Sequence, residues 1–290
     1  MEAMRRRDFL PAIAGTAALA GTALAADDRP NAKKGRLKQG VTNGVFGRSQ
    51  MPMDERCRIA AELGCTGFDL VGPKDWPTLK KYGLKPTMYA PPDGSTIPFG
   101  LNRKENHEKI LKSLRAGIDA AAEWGAPNVI TFSGNRAGMN DEQGMENCVA
   151  GLNEVKKYAE DKGVTVCMEL LNSKVDHKDY MCDHAVWGVE TVRWVNSPRI
   201  KLLYDIYHMQ IMDGDIVRTI RANIQWLGHF HTGGNPGRKE IDDTQELNYN
   251  FVAKAIADLG YQGWVSHEYS PKAGNDAVKS LEQAIAIMTV

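Results

Sequence analysis

The chain has 290 residues, enough for one large domain, and its 42% apolar and 25% charged residues are typical of a soluble globular protein. Lys plus Arg equals Asp plus Glu at 36 each, and this zero net charge argues against nucleic acid or an anionic membrane surface as the main partner. The five cysteines form no Cys-x-x-Cys pair, so we expect buried single thiols rather than a zinc ribbon or a disulfide framework.

The first 26 residues read as an export signal. Arg6-Arg7-Asp8-Phe9-Leu10 resembles the twin-arginine motif of the bacterial Tat route, and an Ala/Gly-rich apolar stretch follows it. The run is barely long enough for an uncleaved membrane anchor, which is the alternative interpretation. We therefore expect a periplasmic protein whose signal is cleaved, a polar lead-in over residues 27–38 and a folded domain over residues 39–290.

A repeated pattern organises the rest of the chain: a helix tail that ends in glycine, a few connecting residues, and then a strand. It occurs around Gly64, Gly125, Gly163 and Gly260. Eight strands are predicted in this way: Gly40–Phe46, Gly67–Val71, Lys85–Ala90, Asn128–Ser133, Val164–Leu170, Ile200–Asp205, Trp226–His231 and Gly263–Glu268. Helical patterns separate them, including Glu105–Trp124, Glu142–Asp161 and Asn275–Met288.

Eight alternations without a break in composition favour a single α/β domain, a (β/α)8 TIM barrel. The alternative is a doubly wound open sheet, but no Gly-x-Gly-x-x-Gly follows the first strand. The Pro- and Gly-rich segment Pro91–Arg103 is a candidate lid, because it is the longest loop that follows a strand.

Four of the predicted strands end in a residue that can bind a metal: Glu169, Asp205, His231 and Glu268. The carboxyl ends of parallel barrel strands meet at one rim, so these side chains are expected to converge. Three carboxylates and an imidazole would repel one another there unless a divalent cation compensates them. Oxygen-rich ligation with one imidazole suits Mn²⁺ or Mg²⁺, with Co²⁺ as a further candidate.

The two glutamates suggest a reaction. Glu169 and Glu268 come from strands on roughly opposite sides of the rim, so they can flank a small carbonyl compound, one removing a proton and the other returning it. The metal would polarise the carbonyl group and hold the enediolate. The expected activity is isomerisation or epimerisation without an organic cofactor.

Three stretches resemble the hydroxypyruvate isomerase family of xylose-isomerase-like barrels. They are Asp205 to Gln210, Pro236-Gly237-Arg238, and Gly263 through His267-Glu268-Tyr269; Met168 to Asn172 also matches the family's strand-five pattern. The resemblance implies a metal bound by Glu169, Asp205 and Glu268, an acid/base pair formed by Glu169 and Glu268, and substrate oxygens held by His208 and Arg238. It also implies isomerisation of hydroxypyruvate, or of a related small hydroxy-carbonyl compound.

The substrate stays open at this stage. The strand-seven ligand is His231, as in ketose epimerases, whereas hydroxypyruvate isomerases tend to carry Gln there. A ketose 3-epimerase, or a keto-sugar lyase or dehydratase, would use the same ligands; a non-catalytic exported sugar-binding barrel is a remote alternative. Asp69 and Asn43, at strand ends, are weaker candidates for substrate contact. The sequence also leaves open whether the chain is a homo-oligomer.

Overall fold

The computed structural model of the protein describes residues 35–47 and 50–290, so the predicted export signal lies outside the described residues. Eight strands form one sheet: β1 Lys38–Val41, β2 Gly67–Asp69, β3 Lys85–Met88, β4 Asn128–Thr131, β5 Thr165–Leu170, β6 Ile200–Asp205, β7 Leu227–Thr232 and β8 Trp264–His267. Their order is β3-β2-β1-β8-β7-β6-β5-β4, and paired neighbours are parallel. The predicted (β/α)8 TIM barrel is confirmed.

The barrel closes between its two outermost strands through a short bridge. The Tyr89 N–H donates to the carbonyl of Asn128 (3.0 Å), and the Ile130 N–H donates to the carbonyl of Tyr89 (2.9 Å). By contrast, β5 and β6 keep five consecutive residue pairs in register. The sheet is therefore most regular around β5 and β6 and thinnest between β3 and β4.

Nine α-helices accompany the strands in the described part of the chain. They are α1 Met53–Leu63, α2 Trp76–Lys81, α3 His107–Trp124, α4 Asp141–Lys162, α5 Ala185–Val195, α6 Ile206–Met212, α7 Ile216–Asn223, α8 Tyr249–Asp258 and α9 Ala277–Met288. Gly125 and Gly163 end α3 and α4 with φ of 71° and 69°, left-handed values that glycine adopts without a Cβ clash. The predicted glycine stops are confirmed at these two helices. No helix among the described residues is long and apolar enough to cross a membrane.

The interior of the barrel has an apolar side and a polar side. Met88, Ile130, Cys167 and Leu203 form a small apolar cluster that is separate from the larger core between sheet and helices. Across from it lie buried ionisable groups, which the next section describes. All five cysteines are buried and unpaired, as expected.

One strand prediction is wrong, and the structure adds detail to one loop prediction. The first predicted strand is wrong in its second half, because Asn43–Phe46 form a 3-10 helix. The apolar Val45 and Phe46 resemble a strand in sequence, but they are buried in a turn in which Phe46 stacks on Phe68 at 6.2 Å. The candidate lid Pro91–Arg103 is anchored to the end of β4, where the N–H groups of Leu101 and Asn102 donate to main-chain carbonyls at residues 132 and 133.

Candidate active site at the carboxyl ends of the strands

Four ionisable side chains meet at the carboxyl ends of the last four strands. Glu169 lies in β5, Asp205 ends β6, His231 lies in β7 and Glu268 directly follows β8. One ligand-type atom from each side chain lies within 4.8 Å of those of the other three. Asp205 and His231 are fully buried, Glu169 is 5% exposed and the Glu268 side chain is 20% exposed. The cluster is therefore open to solvent mainly beside Glu268.

Asp205 has a different partner at each of its two oxygens. Because α6 starts directly after β6, Asp205 is the N-cap of that helix, and its Oδ1 accepts a hydrogen bond from the His208 N–H (3.1 Å). Its Oδ2 accepts from Nη2 of Arg238 (3.1 Å). The cap fixes the side chain, so that the second oxygen is held at the cluster.

Arg238 joins two of the carboxylates. Its Nη2 donates to Asp205 Oδ2 and to Glu268 Oε2 (2.7 Å), and its guanidinium carbon lies 5.8 Å from the ring centre of Tyr207. The backbone of Arg238 has a φ of 53°, a strained value for a residue with a side chain, directly after Gly237. Its Nε is buried and has no hydrogen-bond partner. A bound molecule with an oxygen at this position would satisfy it.

The environment of His231 is the observation that tests whether a metal ion fits here. Its Nδ1 is 2.7 Å from Glu268 Oε2 and 3.6 Å from Glu169 Oε1, yet this buried nitrogen has no aligned hydrogen-bond partner. A proton satisfies one aligned acceptor, whereas a cation can be shared by several oxygens and a nitrogen. The donor set of three carboxylates and one imidazole fits a divalent ion that prefers oxygen ligands.

The protonation of the metal-free cluster shows how its negative charges are compensated. Burial raises the pKa of Glu169 to about 7, and repulsion from Glu268 adds to this while His231 opposes it. Burial would also raise the pKa of Glu268, but His231 and Arg238 outweigh it and lower the value to about 2. Burial would lower the pKa of His231, yet the nearby carboxylates raise it well above its usual value. Protons bound at Glu169 and His231 thus offset part of the negative charge of the cluster.

His208 presents a hydrogen-bond donor whose tautomer is fixed from behind. The Asn172 side-chain oxygen accepts from two main-chain N–H groups, so its Nδ2 faces His208 Nδ1 at 2.6 Å. Nδ1 must then accept, which leaves the hydrogen of the neutral ring on Nε2. Burial lowers the pKa of His208 to about 4, so the ring is neutral near pH 7. Nε2 is buried without a partner, 3.8 Å from Asp205 Oδ2.

A cavity of about 220 Å³ opens beside Glu268 and Arg238. The remaining lining comes from the loops after β1 and β2 and from the segment after β8: Thr42, Asn43, Gly44, Leu70, Tyr269 and Ser270. Thr42 is only 4% exposed, and its hydroxyl oxygen has no hydrogen-bond partner. Residues 91–103, the candidate lid, do not line this cavity.

The structure agrees with the sequence on where the candidate residues lie, with one exception. The four predicted metal ligands, His208 and Arg238 lie together, and Asn43 lines the cavity. Asp69 does not reach the cavity; it is fully buried and contacts Thr87, His229 and His231 instead. Thr42 and the tautomer-fixing role of Asn172 were missed; Thr42 directly follows β1, but the predicted first strand extended to Phe46.

Comparisons with known proteins place this site in a family. Residues 57–289 match the family described as the xylose isomerase-like TIM barrel. The chain belongs to that family. A 2-oxo-tetronate isomerase from Pectobacterium atrosepticum is 25% identical over 77% of this chain and 88% of its own length. Hydroxypyruvate isomerase from Escherichia coli is 27% identical over 77% of this chain and 89% of its own length.

Among solved structures, 3-keto-D-glucoside 4-epimerase from E. coli in its apo form superposes with a TM-score of 0.72. It is 20% identical and covers 87% of this chain and 98% of its own. At that identity the likeness supports the fold alone. The predicted membership of this barrel family, and the prediction of an isomerase-type enzyme, are confirmed.

Proposed function

We propose that this protein is a metal-dependent isomerase that interconverts an aldose/ketose-type pair of a short hydroxy-carbonyl compound, such as hydroxypyruvate and tartronate semialdehyde. The observation that carries the proposal is the convergence of Glu169, Asp205, His231 and Glu268, with ligand atoms within 4.8 Å of one another. These four residues would hold one divalent ion, Mn²⁺ or Mg²⁺, with Co²⁺ as a further candidate. Bound there, the ion would polarise the carbonyl group of the substrate.

The chain's own residues supply the proton transfer. Glu169 and Glu268 are attached to β5 and β8, with β6 and β7 between them, so they reach the cluster from two sides. One carboxylate takes the proton from the carbon that bears the hydroxyl group, and the other delivers a proton to the neighbouring carbonyl carbon. The hydroxyl proton passes to the former carbonyl oxygen, so that the hydroxyl and carbonyl groups exchange places. The Nε2–H of His208 and the guanidinium of Arg238 donate hydrogen bonds to the two oxygens of the enediolate.

The polarity of the site supports a hydroxylated substrate. The unpartnered Thr42 hydroxyl, Arg238 Nε and His208 Nε2 offer hydrogen bonds that a hydroxylated molecule of a few carbons can satisfy.

Epimerisation of a keto-sugar is the second candidate, and His231 is the residue that favours it. An epimerase would use the same glutamates, but both would act on opposite faces of one carbon. A lyase or dehydratase would use the same ligands as well. Proton transfer between two carbons and inversion at one carbon give different products, so they can be told apart directly.

The test combines metal analysis with a substrate panel. Purified protein is expected to hold about one divalent ion per chain and to lose turnover on chelation, and turnover should return when Mn²⁺ or Mg²⁺ is restored. Products from hydroxypyruvate, 2-oxo-tetronate and ketohexoses would be scored for isomerisation and for epimerisation. Full turnover by the metal-free protein would end the proposal.

A matched control comes from Glu240. It is a buried carboxylate near the site that accepts hydrogen bonds from the Lys272 N–H and from Asn275 Nδ2. Glu240→Gln should leave the metal content unchanged, since this side chain is outside the cluster.

We also propose export to the periplasm by the Tat route, supported by Arg6 and Arg7 in the sequence. Replacement of both by Lys should keep the protein in the cytoplasm with its N-terminus uncleaved. Normal periplasmic delivery of this double variant would refute the assignment.

A further inference from the structure

A second polar group lies beneath the metal-ligand cluster and shares His231 with it. Asp69, the last residue of β2, is fully buried. Its Oδ2 is 2.6 Å from Nε2 of His229 and 3.0 Å from Nε2 of His231. Its Oδ1 accepts a hydrogen bond from the hydroxyl of Thr87 on β3. A carboxylate on one side of the barrel is thus bound to two histidines on β7.

The contact with His231 is made through the ring nitrogen that faces away from the cluster. A carboxylate offers only acceptors, so the ring nitrogen it contacts carries the hydrogen. Nε2 of His231 is then a donor to Asp69, and the free electron pair of the neutral ring lies on Nδ1. That Nδ1 is the atom that faces Glu169 and Glu268 without an aligned partner.

We propose that Asp69 is a positioning residue that holds His231 as its Nε2–H tautomer, so that Nδ1 is the metal-ligating atom. This inference rests on the proposed metal site. Hydrogen bonding of the second ring nitrogen to a carboxylate is a general way of orienting a metal-bound histidine and of strengthening its donor atom. Here the supporting carboxylate comes from the half of the barrel that supplies no ligand.

The other contacts of Asp69 keep it in that role. The register between β2 and β3 shifts between Phe68 and Asp69, and such irregularities redirect a side chain. Hydrogen bonds from Thr87 and His229 occupy the rest of the carboxylate, one at each oxygen. Asp69 therefore cannot rotate towards the cluster without breaking both of them.

Asp69, His229 and His231 also have the residue types of a separate metal site. The distances of 2.6 and 3.0 Å are those of hydrogen bonds, and charge-assisted bonds to a carboxylate are at the short end of that range. A metal ion in this position would also need the Nε2 electron pair of His231. That nitrogen would then carry no hydrogen to donate to Asp69. The geometry favours the hydrogen-bonded arrangement, and metal counting separates the two.

The direct test is nitrogen-15 NMR of the histidine rings in protein loaded with diamagnetic Mg²⁺. His231 should show a proton on Nε2 and none on Nδ1. His267 is an internal reference, because its Nε2 faces Gln39 Oε1 and its Nδ1 faces the Thr232 hydroxyl, without a contact to Asp69. A proton on Nδ1 of His231 in the loaded protein would overturn the proposal.

The second readout is metal affinity. Asp69→Asn keeps the side-chain size but can place an N–H₂ group against the ring, and the loss of such a carboxylate typically costs 10- to 100-fold in affinity. Ile130→Ala is the matched control, since it opens space in the barrel interior on β4 without removing a polar group. Affinity should fall in Asp69→Asn and stay near wild type in Ile130→Ala, even if both variants unfold at lower urea concentration.

Three results would contradict the proposal: wild-type affinity in Asp69→Asn, an equal loss in Ile130→Ala, or two metal equivalents per chain of which Asp69→Asn loses one. A wild-type protein that binds no Mg²⁺ or Mn²⁺ would instead contradict the proposed function, so the two failures are distinguishable.

Discussion

The two halves of the barrel contribute differently to the site. Strands β5 to β8 and the residue after β8 carry the four clustered candidate metal ligands, and three of these strands are six residues long. Strands β1 to β4 have three or four residues each and carry none of the four. Their half supplies Thr42, Asn43 and Leu70 to the cavity wall and Asp69 beneath His231.

This division has a physical reason. Charged ligands must be held within a few tenths of an ångström, and side chains on long, well-registered strands are held more precisely than those on loops. A cavity wall tolerates more variation, because it contributes hydrogen bonds and shape. We therefore expect the β5–β8 half to determine metal binding and proton transfer, and the β1–β4 half to tune substrate choice.

The largest effect should come from loss of a ligand in the β5–β8 half. Asp205→Ala and His231→Ala each remove a buried donor, so metal content should fall far below one per chain and activity should disappear with it. Metal analysis after dialysis, alongside Glu240→Gln, measures this. Full metal content in either alanine variant would show that the cluster is not the metal site.

The next effect separates ligation from proton transfer within the same half. Glu169→Gln and Glu268→Gln keep an oxygen ligand but remove the proton-accepting carboxylate, so each should lower kcat by roughly 10²- to 10⁴-fold with a modest loss of metal. The double variant should lose much less than the product of the two single losses, because both groups serve one relay. Independent, multiplying losses would argue against a shared relay.

A smaller effect is expected from the β1–β4 half. Thr42→Val removes only the unpartnered hydroxyl, and one hydrogen bond of about 0.5–1.5 kcal/mol corresponds to a roughly 2- to 12-fold rise in KM. Metal content should not change. The control is Thr191→Val, a buried threonine whose hydroxyl bonds within α5. Loss of metal in Thr42→Val would contradict the proposed division of roles between the β1–β4 half and the β5–β8 half.

The smallest effect is on the pH dependence of fold stability. It involves Asp176, in the loop after β5 that supports His208. Burial alone would raise the pKa of Asp176, but hydrogen bonds from Asn172 Nδ2 (2.7 Å) and Tyr207 Oη (2.9 Å) outweigh it and lower the pKa. Asp176 therefore stabilises the fold above its unfolded pKa of about 3.9, and this contribution is lost as the pH falls through the lower folded value.

Urea unfolding of Asp176→Asn and wild type measures this contribution. The difference in unfolding free energy should be present at pH 7 and should shrink at pH 3. A difference that stays constant between these two pH values would show that the charge of Asp176 is not its source.

The sequence was sufficient to predict that Glu169, Asp205, His231 and Glu268 converge, because its signals are local. Glu169 and Asp205 each close an apolar run, and the side-chain alternation of a strand predicts which way they point. Glu268 follows β8 by one residue and still reaches the cluster. Chain-order patterns were enough for the (β/α)8 fold for the same reason.

The parts that the sequence could not predict depend on contacts across the barrel. Asp69 meets His229 and His231 from 160 and 162 residues away, and that contact needs both barrel closure and the register shift in β2. The 3-10 helix Asn43–Phe46 was mistaken for strand because buried apolar residues in a turn have the composition of a strand. The tautomer of His208 depends on the orientation of Asn172, which no spacing reveals.

Hydrogen exchange at the substrate carbon tests the central claim most directly. Metal-loaded wild type, Glu169→Gln and Glu268→Gln would be incubated with hydroxypyruvate, or with the substrate found by the panel, in ²H₂O, and deuterium incorporation followed by NMR. The two-carboxylate mechanism predicts enzyme-dependent formation of deuterated product by the wild type and almost none by either variant, because the product forms only when both proton transfers occur. Deuterated product formed at the wild-type rate by Glu169→Gln or Glu268→Gln would contradict it.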